Sequence, residues 1–169
     1  ARSAVPLQTF DVLAHGVSGV LPGDLVIAHA AIRDEGTTRA YVPGEFPAVA
    51  DWQLTGYLRE SCEAAGARFH QGIVHSKDAF WSEEPDYTCD PDATRRRWEG
   101  WTRAGARATD MEAAGLFIVA GMRRCRAGAV LAVVGSTIEG TLISDKGASA
   151  GAIPVAVDAM RRMIRADRE

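Results

Sequence analysis

The stretch Thr109-Asp110-Met111-Glu112-Ala113-Ala114-Gly115 is where a polar turn becomes an apolar helix, which we predict to run from Met111 to Arg124. The β-branched segment from Ala127 to Gly135 follows it and predicts a buried strand. An acid in the first turn of a helix favours its positive end and can cap it, for about 0.3–1 kcal/mol. Glu112 can instead accept hydrogen bonds from the hydroxyls of a sugar, with Met111 on the apolar face of that sugar. The motif alone leaves both interpretations open.

The rest of the chain alternates apolar runs of strand length with runs of helical period. The closing helix is predicted to bury one apolar stripe, which consists of Ile153, Val157, Met160 and Ile164. Strands separated by helices predict an α/β protein with a largely parallel sheet, in a single domain over residues 1–169. The other predicted elements are a strand over Leu25–Ala28, a helix over Pro47–Ala65, a strand over Phe69–Val74, a helix over Asp92–Arg103 and an aperiodic loop over Ser136–Ser149.

Composition excludes several classes of function. A chain of 169 residues with 47% hydrophobic content is long enough to form a core without disulfides or metals. Its net charge of -3 disfavours a nucleic-acid partner, which requires an excess of positive charge. Cys62, Cys89 and Cys125 are odd in number and have no CxxC spacing, which favours a reducing, cytoplasmic compartment. The sequence shows neither a membrane-spanning run nor a signal peptide, so we expect no membrane partner.

Ligands of parallel α/β sheets collect at the carboxyl ends of the strands. Three loops qualify by that rule, and they are expected to lie beside Asp110-Met111-Glu112: His15–Gly19, Ser76–Trp81 and Gly135–Thr137. Phe80 and Trp81 could stack on a flat base, although aromatic residues after a strand are more often part of a core or rim. Lys77 in the same loop is expected to pair with its neighbour Asp78. The histidines share no metal-ligand spacing, so no metal is predicted.

Five linked motifs carry a resemblance that covers the chain from about Gly16 to the closing helix. Together they resemble a uridine-phosphorylase-type member of the nucleoside phosphorylase family. The motifs are Pro22-Gly23-Asp24-Leu25-Val26-Ile27-Ala28, Ile32-Arg33-Asp34-Glu35-Gly36-Thr37-Thr38, Glu45-Phe46-Pro47-Ala48-Val49-Ala50-Asp51, Gly72-Ile73-Val74-His75-Ser76-Lys77-Asp78-Ala79-Phe80-Trp81 and Asp110-Met111-Glu112-Ala113-Ala114.

The resemblance implies a three-layer α/β/α sandwich around a mixed, largely parallel sheet, assembled as a homo-oligomer, a dimer or higher. It also implies cleavage of the ribosidic N–C bond of a small-molecule nucleoside, with phosphate as co-substrate and no metal or organic cofactor. Carried over by position, Glu112 and Met111 hold the ribose, with Glu112 as a catalytic residue. Asp110, the second candidate catalytic residue, supports Glu112 or lines the pocket, and Phe80 packs on base or sugar, with Trp81 beside it.

The chain departs from the family pattern where phosphate and base are bound. Ala14 and Val17 stand where relatives carry a phosphate-binding arginine and threonine, while Ser18 and Gly19 remain as candidate phosphate contacts. Ser82-Glu83-Glu84 stands where uracil-specific relatives read the base, which makes Glu83 a candidate base contact. The chain is also expected to be short at its N-terminus relative to the family. Three functions therefore stay open: phosphorolysis, hydrolysis by an N-ribosidase, and binding or assembly without catalysis.

Overall fold

The structure is a computed structural model that describes residues 14–16, 19–136, 141–142 and 151–169. Helices and strands alternate through most of this chain, as the sequence predicts. The strands are β1 (Ala14–Gly16), β2 (Leu25–Asp34), β3 (Ala48–Val49), β4 (Phe69–Lys77), β5 (Ala106–Asp110), β6 (Ala129–Ser136) and β7 (Thr141–Leu142). The helices are α1 (Trp52–Ala64), α2 (Pro91–Arg103), α3 (Ala113–Met122) and α4 (Ala152–Ala166).

The described strands form one mixed sheet in the order β3-β2-β4-β5-β1-β6-β7. Its longest pairing, β2 with β4, is parallel and runs from Leu25 opposite Phe69 to Asp34 opposite Lys77. The pairings of β4 with β5 and of β1 with β6 are also parallel, whereas β1 runs antiparallel to β5. The first residues of β2 pair with β6 as well, so the sheet curves back on itself. The mixed, largely parallel sheet is thus confirmed.

Helices cover both faces of this sheet, which confirms the expected α/β/α layers. Residues of β2 alternate between two cores, because successive side chains of a strand point to opposite faces. Val26 and Ala28 pack with Phe117 of α3, while Leu25 and Ile27 pack with α1 and α4 on the other face. A strand that is buried on both faces reads as a continuous apolar run, which is the pattern of this segment.

The predicted start of the first long helix at Pro47 is wrong. Ala48 and Val49 form β3, which pairs with Ala30 and Ala31 of β2. Helix α1 begins at Trp52 instead, because the Asp51 side chain caps it by accepting a hydrogen bond of 2.9 Å from the backbone N–H of Leu54. The predicted helix over 92–103 is confirmed as α2, which Asp90 caps in the same way.

The predicted buried stripe of the closing helix is wrong for three of its four residues, since of the four only Met160 packs, half-buried, against the core. Ile153, Val157 and Ile164 are exposed on α4, and the buried face consists of Ala152, Val155, Ala156, Ala159 and Met163. This face packs against Leu54, Leu58 and Cys62 of α1. Small side chains allow two helix axes to approach closely, so α4 contacts its neighbour mainly through alanines and leaves its larger apolar side chains at the surface.

The segment that ends at Asp110 is a strand and not only a polar turn. Ala106, Ala108, Thr109 and Asp110 are buried in β5, whereas Arg107 is exposed and interrupts the apolar pattern. Arg107 crosses the neighbouring strand at Gly72, where a Cβ atom would lie 2.4 Å from the Arg107 Cγ. Glycine is therefore required on β4 at this crossing. The predicted loop over 136–149 falls largely outside the described residues, apart from the end of β6 and β7.

In the part of the chain that the structure describes, no helix combines the length and apolarity needed to cross a bilayer. Over the same residues, no group of three or more His, Cys, Asp or Glu side chains could hold a metal ion.

Candidate functional site

Strands β4 and β5 run in parallel, and their carboxyl ends lie side by side. Ser76 is opposite Asp110 in the pairing register. The segments that follow, through Phe80 after β4 and through Glu112 after β5, therefore leave the sheet next to each other. This is the arrangement that the carboxyl-end rule predicts for a ligand site of an α/β sheet.

The start of α3 is held by Asp110 and Ser76. The Asp110 carboxylate accepts a hydrogen bond of 2.7 Å from the backbone N–H of Ala113 and a second one from the Ser76 hydroxyl. The same hydroxyl accepts a hydrogen bond of 3.0 Å from the backbone N–H of Ala114. Two otherwise unpaired N–H groups of the first helical turn are thus satisfied by side chains from two strands.

Glu112 is not needed for this cap. It occupies the N-cap position of α3, yet its side chain makes no capping hydrogen bond, and among the described residues it accepts a hydrogen bond from the backbone N–H of Met111, at 3.1 Å. Glu112 is half-buried, and Met111 beside it is 39% exposed. The capping role that the sequence left open for Glu112 therefore belongs to Asp110. What remains is a carboxylate at the positive end of a helix with an exposed thioether next to it.

Burial raises the pKa of Asp110 from 3.8 to about 6. The hydrogen bonds from Ser76 and from the backbone of Ala113 oppose this rise, and the negative charge of Glu112 adds to it. Asp110 is only 2% exposed, so its carboxyl group does not reach the surface. Of its two predicted roles, this geometry favours support of Glu112 over direct contact with a ligand.

A buried ion pair fixes the segment that carries Phe80. The Lys77 ammonium binds the Glu83 carboxylate and donates a hydrogen bond of 2.7 Å to the Thr109 hydroxyl. It also lies 5.9 Å from the centre of the Phe80 ring, within the range of a cation–π contact. The expected pair of Lys77 with Asp78 is wrong, because Asp78 accepts a hydrogen bond from the backbone N–H of Gly36 instead.

The candidate base contacts differ in how far the structure exposes them. Glu83 is buried in its pair with Lys77, so it positions the Phe80 segment and does not present a free carboxylate to a base. Phe80 is half-buried, and its ring contacts the exposed Trp81 edge-on with centres 4.9 Å apart. Trp81 also packs against Tyr87. Phe80 and Trp81 thus form an aromatic surface at the end of β4.

The structure describes only one of the two remaining predicted site residues. Gly19 is exposed in a turn with φ of 85°, a conformation that favours glycine, and Ser18 lies outside the described residues. Strand β1 runs antiparallel to β5, and β6 runs antiparallel to β2, whereas β4 and β5 are parallel, so the carboxyl-end rule joins the loop after β4 to the start of α3. Arg33 belongs to one of the motifs that carry the family resemblance. Its guanidinium donates hydrogen bonds to backbone carbonyls, including those of Pro43 and Phe46, and so holds a loop.

A cavity of about 260 Å³ lies beside α2, at a place that no sequence motif predicts. His75 reaches this cavity from β4 and hydrogen bonds through Nε2 to the Asp34 carboxylate, at 2.8 Å. Trp98 and Trp101 of α2 pack around the imidazole ring, with centres 5.2 and 5.7 Å away. A signal was present in the sequence, since two tryptophans three residues apart on a charged helix mark one aromatic face.

With this geometry established, comparison with known proteins identifies the class. Residues 9–165 match the family model described as the Phosphorylase superfamily, and the chain belongs to that superfamily. A uridine phosphorylase of Treponema pallidum (strain Nichols) is 37% identical over 155 residues, which are 88% of this chain and 59% of that protein. A uridine phosphorylase of Thermococcus kodakarensis is 38% identical over 123 residues, 71% of this chain and 44% of that protein.

The similarity is not confined to relatives that are named for one nucleoside. A guanosine phosphorylase of Halorubrum lacusprofundi is 35% identical over 143 residues, 82% of this chain and 54% of that protein. The chain therefore spans about half the length of these curated relatives. The resemblance to uridine-type nucleoside phosphorylases that the sequence motifs carried is confirmed at the level of the family.

Proposed function

We propose that this chain carries the ribose-binding part of a nucleoside phosphorylase of the uridine type, which cleaves a ribosidic N–C bond with phosphate in nucleoside breakdown or salvage. Its relatives are named as uridine and guanosine phosphorylases, which supports the reaction class more strongly than the identity of the base. In this proposal Glu112 accepts hydrogen bonds from the ribose hydroxyls and Met111 lies against the sugar. Phe80 and Trp81 provide an aromatic surface for the base or sugar.

One observation carries the proposal. Asp110 and Ser76 already satisfy the first turn of α3, so the structural role that would explain Glu112 without a ligand is filled by other residues. A partly buried carboxylate that accepts from hydroxyl groups forms charge-assisted hydrogen bonds, worth about 1.5–3 kcal/mol each. The N-terminus of α3 also favours a negative charge at this position.

The proposed reaction requires stabilisation of charge more than proton transfer by the protein. Phosphate attacks the anomeric carbon of the ribose and forms a C–O bond while the C–N bond breaks. The bonding pair leaves with the base, which takes up a proton from water, and the sugar carries positive charge in the transition state. An anionic environment below the ring therefore accelerates the step, and Glu112 contributes by fixing the hydroxyls next to the reacting carbon.

The test measures release of base from uridine, and separately from guanosine, as a function of phosphate concentration. We expect base release to rise with phosphate and Glu112→Ala to weaken binding of the nucleoside by at least about tenfold, the loss expected for one charge-assisted hydrogen bond. Glu99→Gln is the matched control, because Glu99 is an exposed acid on α2 with no assigned role. This control should bind and turn over like the unmodified chain.

The other outcomes distinguish the remaining functions. Base release that does not depend on phosphate would show that the reaction is hydrolysis and not phosphorolysis. Ala14 and Val17, which stand where relatives carry a phosphate-binding arginine and threonine, agree with that outcome. Intact binding without any release would identify a nucleoside-binding protein. Binding that is unchanged in Glu112→Ala would overturn the assignment of Glu112 to the ribose.

We further propose that the chain assembles as a homo-oligomer, a dimer or higher, in the cytoplasm. Exposed apolar side chains on the neighbouring α3 and β3 support assembly, and so does Trp52, which is 85% exposed. Sedimentation of the unmodified chain and of Trp52→Glu tests the assembly, and a monomer in both cases would contradict it.

The proposed location in the cytoplasm has a separate basis. Three free cysteines support a reducing compartment.

A further inference from the structure

Lys77 lies at the end of β4, and its ammonium joins two segments of the candidate site. It binds the Glu83 carboxylate in the segment that carries Phe80, and it donates a hydrogen bond of 2.7 Å to the Thr109 hydroxyl. Thr109 belongs to β5, the strand that leads to Glu112 three residues later. One side chain therefore connects the aromatic surface at the end of β4 to the strand that carries the proposed ribose-binding carboxylate.

The ion pair of Lys77 with Glu83 is unusually deeply buried. Its side chains are 4% and 1% exposed, whereas every other ion pair among the described residues has at least one side chain that is 17% exposed or more. Removing two charges from water costs much of what their attraction returns, so an apolar pair of similar volume is often at least as stable. Stability alone therefore does not explain this pair. What charged hydrogen bonds add is a fixed direction between the groups that they join.

Side-chain hydrogen bonds join the ends of β4 and β5 on both faces of the sheet. Consecutive side chains of a strand point to opposite faces, so the contact of Ser76 with Asp110 and the contact of Lys77 with Thr109 lie on opposite sides. The first contact holds the start of α3. The second holds the segment with Phe80 through the ion pair. Both segments of the candidate site are thus tied to the same two strand ends.

We propose that Lys77 is a positioning residue of the nucleoside site, which holds Phe80 at a fixed place relative to Glu112 through its bonds to Glu83 and Thr109. This inference rests on the proposed function. The base and the ribose are joined by the bond that breaks, so the aromatic surface and the carboxylate must hold the two halves in one orientation. A displacement of about 1 Å can lower the rate even when both halves still bind. Lys77 itself is buried and does not touch the nucleoside.

The first test removes the link to β5 and keeps both charges of the ion pair. Thr109→Val retains the shape of the side chain but lacks the hydroxyl that accepts from Lys77. We expect kcat for phosphorolysis of uridine to fall by about tenfold or more while KM changes by less than about threefold, because both halves of the substrate still bind. Thr109→Ser keeps the hydroxyl and should recover most of the lost kcat. Thr102→Val is the matched control, because Thr102 lies on α2 and in neither segment, and it should not change kcat.

A second variant separates positioning from stability. Lys77→Met combined with Glu83→Leu replaces the ion pair by apolar side chains of similar volume, so the chain should unfold at about the same urea concentration as the unmodified chain. Its kcat should nevertheless fall by about tenfold or more. Full kcat in this double variant or in Thr109→Val would overturn the proposal. A loss of kcat that only follows the loss of folded protein in both variants would make the pair purely structural and would overturn it as well.

A measurement that needs no turnover distinguishes this inference from the proposed function. Trp81 packs against Phe80 with ring centres 4.9 Å apart, so its indole N–H resonance in the nitrogen-15-labelled chain reports the position of the segment. The chain has four tryptophans, and single Trp→Phe variants assign the resonances. We expect the Trp81 resonance to shift in Thr109→Val but not in Thr102→Val. An unmodified chain that releases no base would contradict the proposed function, whereas a Trp81 resonance that does not move in Thr109→Val would overturn the role of Lys77.

Discussion

His75 and Ser76 are neighbours on β4, but their surroundings differ in one decisive respect. On one face, the Ser76 hydroxyl donates to Asp110 and accepts from the backbone of Ala114, so its hydrogen bonds are complete. On the other face, His75 binds Asp34 through one ring nitrogen and leaves the second without a partner among the described residues. The same strand thus supports a finished cap on one side and an incomplete polar site on the other.

This difference separates residues that build the fold from residues that are available to a ligand. A complete network such as Ser76 with Asp110 makes the local backbone rigid, because every buried group has its partner. Glu112 and His75 lie next to complete networks, but each still has a hydrogen-bonding atom that no described residue uses. Buried polarity alone therefore does not identify a site, and the number of unused donors and acceptors is the more informative quantity.

The largest expected effect concerns the pair of Lys77 and Glu83, which is the most buried charge pair near both sites. Lys77→Met leaves the Glu83 carboxylate buried without a counter-ion and should lower the free energy of unfolding by about 3–5 kcal/mol. Urea unfolding measures this change. The double variant with Glu83→Gln removes the second charge and should recover a large part of the loss. A single variant within about 1 kcal/mol of the unmodified chain would show that water reaches the pair.

An intermediate effect is expected from the titration of Asp110. Because its pKa is raised to about 6 in the folded chain, the folded state binds a proton more tightly than the unfolded state does. The stability that this proton contributes is fully present below about pH 4 and is lost as the pH rises through about 6. Relative to Asp110→Asn, the unmodified chain should gain about 1–3 kcal/mol between pH 7 and pH 4.

Asp158 provides the control of opposite sign. Hydrogen bonds from Arg162 and Ser61 lower the pKa of Asp158, so its contribution should be lost, not gained, as the pH falls. The comparison uses Asp158→Asn in the same unfolding series. A contribution of Asp110 that does not change with pH would mean that its carboxyl group is better solvated than its burial indicates.

The sequence predicted the elements that have strong periodicity and failed where packing geometry decides. The sequence pattern assigns the buried stripe of α4 to Ile153, Val157, Met160 and Ile164, but the helix approaches α1 through its alanines, and of the four only Met160 packs against the core. A hydrophobicity pattern predicts that the largest apolar side chains are buried, whereas a close contact between two helices favours small ones. β5 was missed for a related reason: the exposed Arg107 interrupts a short strand whose crossing with Gly72 is visible only in three dimensions.

The residues assigned to the ribose could be named from the sequence. Which of the two acids caps α3, and which is left for a ligand, could not. Both acids of the Asp110-Met111-Glu112 motif were candidates, and which one caps α3 depends on where β5 ends and on Ser76 from another strand. The cavity beside His75 is less accessible to sequence reasoning. It requires β2, β4 and α2 to bring Asp34, His75 and Trp101 together, and no local pattern contains all three.

The smallest expected effect on stability distinguishes the two acids of the motif. Glu112→Ala removes no capping hydrogen bond, so the free energy of unfolding should change by less than about 0.5 kcal/mol, the range typical of surface substitutions. Ser76→Ala is the matched comparison, because it removes a hydroxyl that serves both Asp110 and Ala114, and it should cost about 1–3 kcal/mol. Urea unfolding of both variants under one set of conditions measures the contrast. If Glu112→Ala were as destabilising as Ser76→Ala, Glu112 would be part of the cap, and the reason for assigning it to a ligand would disappear.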